Sequence, residues 1–215
     1  MTYSVDELQR AADALRQGHF RVGAGAGHRR DTRSDCTRWV PSESVVVVAG
    51  VAPRVGTTTV ALALAEAFGE RARLVETAAL RRSGIGDATT AELGESVTGW
   101  RRAMRADLLV ERSSENWATP DDVRVPDPAD RDITVLDIGW DLDAVLASES
   151  WMRDAILSAR LILVASASLP DLTALERALQ LTGRADDAKA VLVGLMHRNM
   201  PRALRQVVGP AITAS

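Results

Sequence analysis

A glycine followed by three threonines, Gly56-Thr57-Thr58-Thr59, and an aspartate about eighty residues later, Asp137, are the groups whose types and spacing could do chemistry. The apolar run Val45-Val46-Val47-Val48-Ala49 leads into the loop. The run Val60-Ala61-Leu62-Ala63-Leu64-Ala65 leads out of it, so the stretch reads as buried strand, short loop and helix. A loop of this kind holds phosphate in three ways: backbone N–H groups form a cradle, the helix start adds its positive end, and a lysine reaches the outer oxygens. The phosphate-loop pattern G-x-x-x-x-G-K-[ST] places that lysine after the second glycine, and here the position is Thr57. Thr58 stands where a hydroxyl would ligand Mg²⁺. Pro53 has no N–H to give, and Arg54 stands where a glycine would ease an unusual backbone conformation.

The second half of the constellation is Asp132-Ile133-Thr134-Val135-Leu136-Asp137-Ile138-Gly139-Trp140, an apolar strand closing on an aspartate. An aspartate at the carboxyl end of a parallel strand, near the loop threonine, holds Mg²⁺ through water in nucleotide sites. The bland alternative is an ordinary strand–turn–helix without a ligand, with Asp137 in a solvated crevice. Charge-assisted hydrogen bonds contribute about 1.5–3 kcal/mol each. Losing the lysine therefore weakens binding by roughly ten- to several-hundred-fold, and hydrolysis suffers more. Arg54 reaching inward is one way to restore the charge.

These residues need a scaffold. Strand-like runs fall at Val45–Ala49, Ala72–Val75, Asp107–Val110, Ile133–Leu136, Leu161–Val164 and Ala190–Leu195. Helix-like segments fall at Thr58–Phe68, Thr90–Met104, Glu149–Ala159, Leu172–Leu181 and Pro201–Val208. Continuous apolar strands alternating with helices predict an α/β fold, a mainly parallel sheet sandwiched by helices. Helix Thr58–Phe68, apolar nearly all round, is expected to be wedged against that sheet. Ser114 to Arg131, rich in proline and aspartate, reads as a surface loop.

Ahead of the α/β domain (43–215), Ser4 to Gln17 reads as a short helix (domain 1–18), with Ser4 and Glu7 at capping-box spacing. Residues 19–42 read as a basic tether. Its Gly23-Ala24-Gly25-Ala26-Gly27 has no buried strand before it, so it is not a dinucleotide fingerprint. Arginines in 19–38 offer a DNA contact as one function of the tether; solvation alone is the other.

The chain has 215 residues, a net charge of −3, one cysteine (Cys36) and, among 26 basic residues, one lysine, Lys189. That excludes an intramolecular disulfide and suits a reducing cytosol. The acidic, polar start does not read as a secretory signal, and no apolar run is long enough to span a membrane. A cytoplasmic protein is expected. His19, His28, His197 and Cys36 lack metal-ligand spacing, Arg81-Arg82 and Arg101-Arg102 read as solvated, and the five tryptophans read as core and edge anchors.

The order of strand, glycine-bounded loop, Thr57-Thr58-Thr59, apolar helix, Leu136-Asp137-Ile138-Gly139 and a strand closing in Ala165-Ser166 resembles the ParA/MinD family of P-loop ATPases. The likeness runs from about Ser44 to Val208 and is nearest to TadZ/CpaE-type members, whose loops are often atypical and lack the lysine. The family loop K-G-G-x-G-K-T-T falls on Ala52-Pro53-Arg54-Val55-Gly56-Thr57-Thr58-Thr59, without either lysine. The first of these, in the family, crosses to the partner of an ATP-sandwich dimer. The stretch Val75-Glu76-Thr77-Ala78-Ala79-Leu80-Arg81-Arg82 resembles the family's V-D-A-D-L-R-R, whose acid positions the attacking water. Its acidic positions fall on Thr77 and Ala79, with Glu76 one place off. Where many members read adenine with an asparagine, this chain has Gly194.

The resemblance implies ATP or ADP held weakly, if at all, by Arg54, Val55, Gly56, Thr57, Thr58 and Thr59, with Mg²⁺ at Thr58 and Asp137. It also implies a positioning, partitioning or assembly factor acting through a protein partner, with a homodimer open, and no efficient hydrolysis. Two alternatives stay open: an active ATPase using Arg54 or an arginine from a second subunit, and a DNA-associated accessory using the tether.

Overall fold

Val46, Val47, Val48 and Ala49 are all buried, which requires cover on both faces of their strand. That strand, β1 (Ser44–Gly50), lies at the heart of an eight-stranded sheet in a computed structural model that describes residues 38–194. The helices expected at Ser4–Gln17 and Pro201–Val208, and the tether up to residue 37, lie outside the described residues. The chain continues through α1 (Thr57–Phe68), β2 (Ala72–Glu76), β3 (Ala91–Glu95), β4 (Trp100–Arg105), β5 (Leu108–Ser113) and β6 (Ile133–Ile138). It ends with α2 (Leu142–Leu146), α3 (Trp151–Ser158), β7 (Arg160–Ser166), α4 (Leu169–Thr182) and β8 (Lys189–Val193). The sheet order is β3-β4-β5-β2-β6-β1-β7-β8, parallel from β5 to β8 and antiparallel only through β3, β4 and β5. This is the mainly parallel, helix-covered α/β sheet expected.

Alternation along each strand sorts the core in two. Val48, Leu74, Val110, Val135 and Val164 pack on the face covered by α1 and Ile85. Val47, Val75, Leu136, Leu161 and Leu163 pack on the opposite face with residues from α2, α3 and α4. Ala61 and Ala65, both fully buried, are small enough to let α1 lie close to the sheet. The helix is less enclosed than its composition predicts: Ala63, Glu66 and Ala67 are exposed. Trp39, within the stretch read as tether, packs edge-on against Trp151 at 5.0 Å.

Two segments depart from expectation. The helix predicted over Thr90–Met104 is instead a β-hairpin, β3 and β4. Gly94 and Gly99 take φ of 97° and 85°, outside helical backbone, and Gly99 donates to the Ser96 carbonyl at 3.1 Å to close the turn. Apolar residues there repeat at spacings that serve either element, and the glycines decide. The second is Ser114–Arg131, expected on the surface. Trp117, Pro120, Val123 and Pro126 of this loop are buried, and it covers the sheet where a crossover helix would otherwise lie. Trp117 meets Trp100 edge-on at 5.3 Å.

A buried ion network fastens this loop to the sheet. Arg73, 1 % exposed, donates to Glu43 at 2.6 Å, to Glu111 at 2.8 Å, to the Thr134 hydroxyl at 2.8 Å and to the Asp127 carbonyl at 2.6 Å. Burial pushes the Glu43 carboxyl up, but hydrogen bonds from Thr134 and Arg73 outweigh it and leave the group below its ordinary value. Arg102, expected to be solvated, instead pairs with the fully buried Glu111 at 2.8 Å. Removing one partner of such a pair leaves a buried charge uncompensated. Arg73→Met is therefore expected to lower unfolding free energy in urea by about 3–5 kcal/mol. Replacing Arg73 and Glu111 together by leucine should cost much less.

Candidate functional site

β1 pairs with β6 in parallel register, Val48 opposite Asp137, and β6 pairs with β2, Asp137 opposite Glu76. That register brings the loop after β1 and the carboxyl end of β6 to one edge, where ligands bind in open parallel sheets. Between them lies a cavity of about 730 Å³. Its walls include Arg54, Gly56, Thr57, Thr58, Thr59, Asp137 and Trp140. Val55 is the exception among the predicted loop residues: it turns away, 5 % exposed, into the core beneath α1 and pins the loop.

The loop's geometry follows from three residues. Gly56 is the N-cap of α1 with φ 92°, and no side chain caps the helix. The first-turn N–H groups are thus left to water or to an anion, with the helix dipole behind them. Arg54 takes φ 63°, the left-handed conformation for which a glycine was expected, at a cost of about 1–2 kcal/mol. Gly50 ends β1, and a Cβ there would come within 2.3 Å of Thr57 Oγ1. The hydroxyl at the lysine position thus lies against the base of the loop. Counting back from Gly56, the first glycine of the phosphate-loop pattern falls on Val51, one residue after Gly50, so only the second glycine of that pattern is present.

Asp137 has no exposed surface, and neither carboxylate oxygen has a hydrogen-bond partner among the described residues. It is not in a solvated crevice. Burial pushes its pKa from 3.8 to about 7; the nearby Thr58 hydroxyl pulls it back without making a well-formed hydrogen bond, and Glu76 raises it further. Glu76, 1 % exposed, is itself raised by burial, against hydrogen bonds from Ser83 and the Gly84 backbone and the charge of Arg112.

The strand end is fixed by residues the sequence left unassigned. The Thr77 backbone N–H and hydroxyl both donate to the Asp137 carbonyl at 3.0 Å. The Gly139 N–H donates to the Thr77 hydroxyl at 3.2 Å, and Trp140 Nε1 donates to the Thr77 carbonyl at 2.7 Å. A Cβ on Gly139 would stand 2.4 Å from that of Ala78, so only glycine lets the two strand ends meet. Thr77, at one acidic position of the likeness, is therefore a clasp between β2 and β6. Glu76 lies on the α1 face beside Asp137, the neighbour that parallel pairing gives it. The glycine after the Asp137 strand was the signal for this close approach.

The donor set fits a hard cation. Two orphaned carboxylate oxygens beside the Thr58 hydroxyl, in a cavity with room for water, are what a hydrated Mg²⁺ takes up, and a buried unpaired carboxylate is otherwise costly. Among the described residues no group of three or more acidic, histidine or cysteine side chains could hold a metal by itself.

Comparison with known proteins gives likeness at low identity. No protein-family description matches the chain, and no curated protein does. A plasmid partition protein from Borrelia burgdorferi is similar at TM-score 0.49 and 12% identity, over 70% of this chain and 77% of the other. The cell division ATPase MinD of Pyrococcus furiosus is similar at TM-score 0.46 and 19% identity, over 77% and 78%. The MinC:MinD cell division complex of Aquifex aeolicus gives TM-score 0.43 and 15% identity, over 69% and 67%. The likeness is in the course of the chain, and nothing about ligand, activity or partner follows from it.

The Asp137 environment predicts a pH dependence of stability. Between pH 3.8 and about 7 the folded chain keeps a proton here that the unfolded chain has lost, so stability falls as pH rises through that window. The loss reaches about 4 kcal/mol at most, at about 1.4 kcal/mol per unit. Asp137→Asn should therefore unfold at higher urea than wild type above pH 7, and the advantage should vanish near pH 4. Parallel urea midpoints across that range check the sign.

Proposed function

We propose that this chain is a ParA/MinD-like positioning, partitioning or assembly factor with a degenerate nucleotide site. It takes up ATP or ADP weakly with Mg²⁺ and acts through contacts with a protein partner rather than through rapid hydrolysis. The observation that carries the reading is the meeting of an uncapped helix start with an unpartnered, buried Asp137 in one cavity that no lysine lines. The first supplies phosphate donors and the second a place for the cation. A bound Mg²⁺ would neutralise charge on the outer phosphates.

The chain's own residues divide the task. Thr57, Thr58 and Thr59 present the helix N–H groups, and Asp137 with the Thr58 hydroxyl orients the cation's water shell. The Thr77–Gly139 clasp keeps the Asp137 strand end in place. Poor turnover follows from what is absent at the reacting end. Thr57 carries no positive charge to offset the transition state, and Thr77, Ala78 and Ala79 offer no carboxylate to orient water. TadZ/CpaE-type members are the nearest expectation for such a loop.

One observation favours a second reading, an active ATPase that draws its charge from Arg54. Among the described residues this is the cation that lines the cavity, and its backbone is strained at φ 63°. Arg54→Ala separates the two. On the favoured reading nucleotide affinity changes less than about threefold, since the guanidinium is exposed and its attraction screened. A loss of about 100-fold favours Arg54 as the replacement charge.

The central test is calorimetric titration of the full chain with ATP and ADP in Mg²⁺, beside steady-state phosphate release. Weak binding abolished in Thr58→Ala, with turnover well below about 1 s⁻¹, is expected. Robust turnover that Asp137→Ala abolishes would sink the proposal.

A further inference from the structure

We infer that the cavity accepts a polyphosphate only as its divalent-cation complex, and that buried Asp137 is the group that rejects the free anion. This rests on the nucleotide reading above and adds a condition to it. A phosphate loop with its lysine carries a fixed positive charge at the outer phosphates, so the cation assists and is not the sole neutralising charge. Here the side chain at that position is the neutral Thr57, lying against the base of the loop at Gly50.

The charged groups around the cavity favour the opposite sign. Asp137 lines it with both oxygens unpartnered and no exposed surface. Glu76 stands directly behind on β2, in register with Asp137, and is also buried. Asp141 lines the mouth, its Oδ1 accepting from the Ala144 N–H at 3.1 Å at the start of α2. From α1 the group facing Asp137 is the Thr58 hydroxyl, and its β1 neighbour is Val48, so neither brings positive charge.

Among the described residues two cations are near, and neither answers Asp137. Arg54 is exposed at the loop apex. Arg112 is opposite Glu76 on β5 and is committed on its far side to Glu92. A polyphosphate placed against the helix start would thus face the negative charge of a carboxylate that has no exposed surface of its own, and a buried charge is screened less than one in open water. A divalent cation brought in on the phosphate satisfies the Asp137 oxygens and reverses that sign. The same group that blocks the free anion admits the complex. Restoring a positive charge at Thr57, or neutralising Asp137, should each release the requirement, because each alters the same sum of charges.

The test is isothermal titration of the full chain with ATP, at about pH 8 and constant ionic strength, in Mg²⁺ and again in EDTA. Wild type is expected to bind at least about 100-fold more weakly in EDTA. Asp137→Asn, an isosteric change that keeps the fold, is expected to bind free ATP more tightly than wild type and to show less than about tenfold dependence on Mg²⁺. Thr57→Lys should also gain affinity in EDTA, through a different atom at a different place. Quenching of Trp140, which lines the cavity, gives a second readout independent of heat. Equal affinity in Mg²⁺ and EDTA for wild type overturns the inference and leaves nucleotide binding standing. So does a Mg²⁺ dependence that Asp137→Asn leaves unchanged. Absence of binding by wild type and both variants in every condition overturns the nucleotide reading and this inference with it.

Discussion

The carboxylate of Asp137 sits buried at the carboxyl edge of the sheet with no hydrogen-bond partner among the described residues. Such a group is expensive, since a buried carboxylate is ordinarily paired with a cation or hydrogen-bonded. Everything around it instead holds it where it is. The Thr77 backbone and hydroxyl take the Asp137 carbonyl, Gly139 lets the β2 end come against the β6 end, and Trp140 ties back to Thr77. Its own backbone is fully engaged while its side chain is not. That contrast, satisfied main chain and starved side chain, is what gives the cavity a chemical direction.

The stability of the scaffold comes from elsewhere. On the opposite face of the sheet, Arg73 makes four hydrogen bonds in a buried network that binds β2, β5, β6, Glu43 and the Ser114–Arg131 loop together. In that network every charge has a partner. One face of β2 thus carries a paired charge at Arg73 and the other an acid, Glu76, whose carboxyl burial pushes above its ordinary value. A sheet able to satisfy the first set so completely does not leave Asp137 unpartnered through poor packing; the unpaired carboxylate is local to the cavity.

Much of this was legible in the sequence, and the limits have physical causes. The strands around the site were readable because Val45–Ala49 and Ile133–Leu136 are continuous apolar runs, which only a doubly covered strand explains. The loop was readable because Gly56 and three threonines stand between an apolar strand and an apolar helix, and Arg54 was marked as standing in a glycine's place, which its φ of 63° bears out. The hairpin was misread because Leu93, Val97, Trp100 and Met104 satisfy helical spacing, while the evidence against it lay in two glycines of positive φ. The ion network was illegible: Arg73, Arg102 and Glu111 are far apart in sequence, and pairing that buries charge leaves no periodic mark. The nearness of Glu76 to Asp137 was not read from the sequence, because matching to the likeness counts residues, whereas parallel register decides which side chains become neighbours.

That register also explains why losing the lysine need not have emptied the site. A lysine acts from the loop alone, so its loss changes one residue. The aspartate is placed by three strands at once, β1, β6 and β2, and its position is a property of the whole sheet centre. Removing the lysine takes away an attraction but leaves the buried negative charge, and the balance at the cavity changes sign. A site in that condition either loses its anion altogether or keeps it under the control of whatever supplies the missing charge. The uncapped start of α1 argues for the second: among the described residues no side chain caps the free N–H groups, as an abandoned site would be expected to allow.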